Sequence, residues 1–296
     1  MAKEPQQNYY LGMSAERFHK LSYLEWGEPD NPDVLICVHG LTRNAHDFDY
    51  LARELSKDYR VICPDILGRG DSDYIGSTLM YNFTQYISDI VALIARIGVS
   101  EVNWLGTSMG GIIGMMMACV PKTPIKRLIL NDVGMVVPSL AMTRIAAYAQ
   151  NDLGFQNVEE AKKYFKLIMP AFGIREEEKW DHIVKWGTRK DQDGRYKLSY
   201  DPAIGQAFVS LSINDIHLET YWHDVKCPVL VIRGEDSDLL TPEIINNMSI
   251  LQPQMDVIEV PGAGHAPALM SEFEIESVRN WLKNSAQVNE VLKNRA

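Results

Sequence analysis

The stretch Gly106-Thr107-Ser108-Met109-Gly110 constrains this chain more than any other, because of what stands on either side of it. Before it, Glu101-Val102-Asn103-Trp104-Leu105 is a short apolar segment of strand type. After it, Gly111-Ile112-Ile113-Gly114-Met115-Met116-Met117-Ala118-Cys119 is long and apolar enough for a buried helix. A serine at a sharp strand-to-helix turn has its hydroxyl pushed into the open. The flanking glycines let the neighbouring backbone crowd in without a Cβ clash.

Other segments extend this pattern into a sheet. Val34-Leu35-Ile36-Cys37-Val38, Arg60-Val61-Ile62-Cys63, Leu128-Ile129-Leu130 and Val229-Leu230-Val231-Ile232 read as fully buried strands, and Val257-Ile258-Glu259-Val260 as a shorter, mixed one. Continuous apolar strands imply a sheet covered on both faces. Helical patterns lie between them. In one, Phe83, Tyr86, Ile87, Ile90, Val91, Ile94 and Ile97 form a single stripe; another runs from Asp47 to Leu55, and a C-terminal one carries Phe273, Val278 and Trp281-Leu282. Strands alternating with helices predict an α/β fold with a doubly wound, mostly parallel sheet.

The alternation breaks between about Gly134 and Tyr221. Asn157 with Glu160 looks like a capping pair opening a helix that Pro170 closes. Arg175 to Trp186 reads as a second helix, and Asp201-Pro202 starts a third. Residues 135–221 are therefore expected to form a helical insertion in a core made of residues 1–134 and 222–296. Most of the insertion's aromatics, among them Tyr148, Phe155, Tyr164, Phe165, Phe172, Trp180 and Trp186, are expected to build its own small core. A minority are expected to roof an apolar pocket over the serine.

A formal net charge of -10 argues against a broad nucleic-acid surface, which needs clustered Lys and Arg. No run approaches the ~20 apolar residues of a membrane span, and the polar start of the chain lacks the apolar stretch of a signal peptide. Cys37, Cys63, Cys119 and Cys227 lie far apart and read as free thiols, so a cytoplasmic location is expected. The histidines His19, His46, His182, His217 and His223 form no metal pattern, and Gly68-Arg69-Gly70 lacks the third glycine of a nucleotide fingerprint.

In a parallel sheet all carboxyl ends point to one edge, where ligands bind. Four loops at that edge carry reactive side chains: Ser108 after one strand, His39-Gly40-Leu41-Thr42 after Val38, Asp236-Ser237-Asp238 after Gly234, and His265 after Val260. A serine hydroxyl is a weak nucleophile until a base takes its proton. Histidine suits that task, and needs a carboxylate to hold its tautomer.

With these residues in place, the chain resembles the α/β-hydrolase family across nearly its whole length, as a serine hydrolase with a helical cap. Ser108, Asp238 and His265 follow that family's triad order. His39-Gly40 resembles its turn after the third strand, and Asp65-Ile66-Leu67-Gly68-Arg69-Gly70-Asp71-Ser72 resembles its D-x-x-G-x-G-x-S turn after the fourth. For the acid, counting back from Pro242 favours Asp238 over Asp236. Asp132, after the sixth strand, is a third candidate because some relatives recruit their acid there. The resemblance implies an oxyanion hole made by the backbone N–H groups of Leu41 and Met109, with His39 packed behind that turn. Arg43, beside it, either meets a substrate carboxylate or is an ion-paired surface residue. The resemblance implies hydrolysis of a small-to-medium carboxylic ester through an acyl-enzyme, with no cofactor and no metal. Its rivals are a C–C bond hydrolase of ring-cleavage diketones, which Ala266 and Leu41-Thr42 disfavour, and a slow or non-turnover ligand receptor.

Overall fold

The computed structural model describes residues 4–209 and 213–293. Eight strands form the main sheet: β1 (Gln6–Met13), β2 (Phe18–Trp26), β3 (Val34–Val38), β4 (Arg60–Pro64), β5 (Val102–Thr107), β6 (Ile125–Asn131), β7 (Val229–Gly234) and β8 (Asp256–Val260). Their order is β1-β2-β4-β3-β5-β6-β7-β8. From β4 to β8 every pairing is parallel; β1 and β2 form an antiparallel hairpin that joins β4 antiparallel. The sheet is thus doubly wound and mostly parallel, as the apolar strands predict.

Why those strands are continuously apolar is visible in β3. All five residues are buried, yet they divide between two cores. Val34, Ile36 and Val38 pack with Trp104, Leu128 and Val231 on one face. Leu35 and Cys37 pack with Leu105, Ile129 and Ile232 on the other. Each fully buried aliphatic side chain contributes about 1.5–3 kcal/mol of transfer free energy. Helices α1 (Asp49–Leu55) and α9 (Glu272–Lys293) cover the second face, and α2 (Phe83–Ile97) and α3 (Met109–Ala118) the first.

Helix α2 illustrates how local signals and packing agree. The Asn82 side chain caps it by accepting from Gln85 N–H, and Gly98 ends it in the left-handed region at φ 74°. Tyr86, Ile90, Leu93, Ile94 and Ile97 are buried. Val91 departs from the expected stripe and is exposed, because Leu93 takes the inward position.

Between β6 and β7 run α4 (Ser139–Ala149), α5 (Val158–Ile168), α6 (Glu177–Gly187), α7 (Ala203–Val209) and α8 (Glu219–Asp224). The Asn157 side chain caps α5 by accepting from Glu160 N–H. Phe155, Tyr164 and Phe165 pack ring against ring. This segment is stitched to the turns at the carboxyl edge of the sheet. Gly70 N–H donates to Ser199 O and Asp201 N–H to Gly68 O. The Tyr81 hydroxyl donates to Asp201 Oδ2 at 2.5 Å, and Asn44 Nδ2 to Trp186 O at 2.8 Å. Among the described residues, no helix is long and apolar enough to cross a membrane.

Candidate active site

Ser108 stands between β5 and α3 with φ 51° and ψ −114°, a conformation that L-residues rarely adopt. Such a backbone costs of order 1–3 kcal/mol and persists only where the surroundings impose it. Here they do. Ser108 N–H donates to Asn131 O at 2.9 Å, and Ser108 O accepts from Gly111 and Ile112 N–H. Glycine is required on both sides. A methyl group at Gly106 would run into the backbone of Gly110, and one at Gly110 into the carbonyl of Val38. Trp104 Nε1 fixes the first turn of α3 by donating to Gly110 O at 3.0 Å.

His265 follows β8 on the loop expected to carry it. Its Nδ1 lies 2.8 Å from Asp132 Oδ2. Asp132 is the residue after β6 and is fully buried, with φ 54°. Its carboxylate has two further donors: Gly234 N–H on Oδ1 at 2.8 Å and Ser237 Oγ on Oδ2 at 2.6 Å. A buried carboxylate is tolerable when its lone pairs are so satisfied.

Asp238 therefore does not take the place expected of it. Arg144 of α4 holds it bidentately, Nε to Oδ2 at 2.7 Å and Nη2 to Oδ1 at 2.8 Å, on a side chain about half exposed. Burial pushes its carboxyl up, but the Arg144 hydrogen bonds and charge more than offset this and hold it below the ordinary carboxylate range. Asp236 is exposed on the same loop. The cause lies in that loop: Ser237 turns inward to Asp132, and the aspartates on either side of it face outward.

The turn after β3 is braced from behind. His39 is fully buried; its Nδ1 donates to Gly40 O at 2.8 Å and its Nε2 accepts from Ile66 N–H at 3.0 Å. Burial lowers its pKa to about 3, so it stays neutral. Asp65 accepts from Ala45 and Asp71 N–H, and burial raises its pKa to about 6. Among the described residues neither Leu41 nor Met109 N–H has a hydrogen-bond partner, which leaves both free to donate.

Two side chains that sequence reasoning missed connect these parts. Arg69, fully buried, donates from Nε to Leu41 O at 2.9 Å and from Nη2 to Met109 Sδ at 3.5 Å. It thereby ties the turn after β3 to the turn after β5. Asn131 Nδ2 donates to Thr107 Oγ1 at 3.0 Å and to Pro267 O at 2.9 Å, tying the serine's strand to the histidine's loop. The only signal in the chain was position: Arg69 sits inside the D-x-x-G-x-G-x-S turn, and Asn131 directly precedes Asp132.

Ser108 opens onto two chambers. One, of about 50 Å³, is lined by Gly40, Thr42, Arg43, Tyr148, Phe172 and His265 among others. The other, of about 210 Å³, is mostly apolar, with Tyr86, Met109, Ile112, Met142, Ile204 and Phe208 in its wall. Leu41 and Ile145 border both. The segment between β6 and β7 thus contributes Tyr148, Phe172 and Phe208 to the chamber walls, while Phe155, Tyr164 and Phe165 pack on each other. Arg43 is buried and paired with Asp47, with Nη2 to Oδ1 at 2.5 Å. Among the described residues no group of three or more His, Cys, Asp or Glu side chains is placed to hold a metal.

This geometry agrees with what the chain is similar to. A family model described as the alpha/beta hydrolase fold matches residues 33–270. The 3-hydroxybutyrate-oligomer hydrolase of Cupriavidus necator is 39% identical over 283 residues, covering 93% of this chain and 97% of that protein. Among solved structures, a putative hydrolase from Rickettsia typhi superposes with a TM-score of 0.89 at 38% identity, covering 95% of this chain and 99% of that one. An alpha/beta hydrolase from Novosphingobium aromaticivorans does so with 0.84 at 31%, covering 96% and 99%. The chain belongs to the α/β-hydrolase fold family and is a hydrolase of that fold.

Proposed function

We propose that the protein hydrolyses carboxylic esters through an acyl-enzyme on Ser108. The observation that carries this reading is the Nδ1 contact of His265 with a buried, fully hydrogen-bonded Asp132, in a loop that shares a chamber with Ser108. Asp132 holds the Nδ1 proton in place, so Nε2 is the free base. Ser108 Oγ attacks the ester carbonyl and its proton passes to His265 Nε2. The oxyanion is received by Leu41 and Met109 N–H; each such donor is worth about 10²–10³ in rate. His265 then protonates the leaving alcohol, and water, activated by the same nitrogen, releases the acid.

Oligomers of short hydroxy acids are the proposed substrate class. Support comes from the near full-length similarity to a 3-hydroxybutyrate-oligomer hydrolase and from a mostly apolar chamber on one side of Ser108. Residues 135–221 act as a cap in this reading. The free, buried Cys37 and Cys63 support a reducing, cytoplasmic setting.

The test is a chain-length series of p-nitrophenyl esters together with 3-hydroxybutyrate dimer and trimer. Wild type is expected to turn over both kinds of substrate, and Ser108→Ala to lose at least about 10³-fold. Undiminished turnover in that variant overturns the proposal.

A further inference from the structure

We infer that the alcohol half of the substrate runs past His265 into an outer cavity lined by α4, α5 and the loop after β7, so that the enzyme favours esters with an extended, uncharged leaving group. This rests on the ester-hydrolase reading and adds to it a subsite for the leaving half.

Three cavities stand in a row. Ser108 borders the apolar chamber and the small one, while His265 borders the small chamber and the outer cavity. Tyr148 is the other side chain shared by those last two, and no described residue lines both the apolar chamber and the outer cavity. The order is therefore apolar chamber, Ser108, small chamber, His265 with Tyr148, outer cavity.

The chemistry orients an ester along this row. The acyl carbon bonds to Ser108 Oγ, and the leaving oxygen takes its proton from His265 Nε2. The alcohol half therefore points to the His265 end and the acyl half to the apolar chamber. At about 50 Å³ the small chamber has room for the reacting atoms but not for a long alcohol. The outer cavity, about 630 Å³, falls within the range of about 300–1,000 Å³ usual for ligand clefts.

The wall of that cavity suits an uncharged chain. Ala147 of α4 with Leu167 and Ile168 of α5 give it apolar surface, and Leu167 is 76% exposed. An alkyl or polyester chain laid there removes this surface from water. The charged groups offer little to an anion. Arg144 gives Nε and Nη2 to Asp238, and Asp236 adds a second carboxylate, exposed and without an ion pair among the described residues. Two carboxylates against one guanidinium leave the cavity net negative.

In the step proposed, the bond between the acyl carbon and the alcohol oxygen breaks. The proton that His265 took from Ser108 goes to that oxygen, and the free alcohol departs by the outer cavity, which reaches solvent at the half-exposed Arg144 and Asp238.

The experiment measures kcat/KM for methyl and hexyl butyrate, with p-nitrophenyl acetate as a reference. Burial of the additional methylenes predicts a preference of about 10-fold or more for the hexyl ester in wild type. The butyrate ester of ω-hydroxyhexanoate, as long but ending in a carboxylate, is expected to lose most of that preference. Ala147→Trp, which fills the cavity from an exposed position on α4, is expected to bring the hexyl-to-methyl ratio close to unity. Leu167→Asp, also at an exposed helix position, serves in its place if the tryptophan variant fails to fold, and is expected to lower the ratio severalfold. Equal rates on the two alkyl esters in wild type, no turnover of either, or a ratio unchanged in both variants overturns the inference, while acetate hydrolysis leaves the esterase reading standing. A carboxylate-ended ester cleaved as well as the hexyl ester overturns the uncharged leaving group. Absence of acetate hydrolysis as well overturns the esterase reading itself.

Discussion

His265 Nδ1 is 2.8 Å from Asp132 Oδ2, a carboxylate presented 133 residues earlier in the chain, while Asp238, on the loop from which an acid was expected, is clasped by Arg144. The two aspartates are therefore predicted to differ in their effect on turnover. Asp132→Asn leaves His265 with the wrong tautomer partner and is expected to lower kcat by about 10³–10⁴. Asp238→Asn only weakens a half-exposed ion pair, and is expected to cost less than about 10-fold. Steady-state kinetics on one p-nitrophenyl ester decide between them; the reverse order returns the acid to Asp238.

The buried pair behind the β3 turn predicts a pH dependence of stability. His39 has an ordinary value near 6.5 and a folded value of about 3. Between these the unfolded chain binds more protons, so stability falls as pH drops from about 6.5 toward 3. Asp65 runs the other way. Its folded value of about 6 lies above 3.8, so protonation favours the fold as pH drops from about 6 toward 3.8. The His39 displacement is the larger, and the net effect of the two is loss. Urea midpoints from about pH 7 to about pH 4.5 should fall less steeply in His39→Gln and more steeply in Asp65→Asn than in wild type.

Ser108 holds a backbone conformation suited to glycine. Ser108→Gly relieves the strain and Ser108→Ala does not; glycine's extra unfolded-state entropy subtracts only part of the gain. The glycine variant is expected to be more stable than the alanine variant by about 1 kcal/mol, a few degrees in Tm. Thermal unfolding of the two inactive proteins, side by side, checks this, and equal midpoints contradict it.

Gly110 lies inside α3, where alanine normally adds about 1 kcal/mol of helix propensity. At this position the added methyl meets the Val38 carbonyl, a backbone atom that cannot swing away. Gly110→Ala is expected to destabilise by about 3 kcal/mol or more, enough to lower soluble yield. A Tm at or above wild type contradicts the close approach of α3 to β3.

The parts legible in the sequence are those whose physics is local. Strands buried on both faces, such as β3 and β7, have no polar side to show and announce themselves as apolar runs. The serine turn carries its own glycines. By contrast β1 and β2 show no continuous apolar run: β1 is an edge strand with only Tyr10 and Gly12 buried, and the buried residues of β2 include His19, Ser22 and Glu25. The carboxylate that meets His265 is hidden from the sequence for a different reason. Whether Asp132 or Asp238 reaches His265 depends on which way Ser237 turns, a matter of tertiary packing that loop counting does not contain. Arg69 and Asn131 are single buried polar residues, and no periodicity distinguishes such a residue from a solvated one.

The most direct measurement is mass spectrometry of the protein after exposure to a fluorophosphonate. One adduct, mapped to the peptide containing Ser108 and absent from Ser108→Ala, is the predicted result. A chain left unlabelled, or labelled at another residue while ester turnover continues, contradicts a nucleophile on that turn.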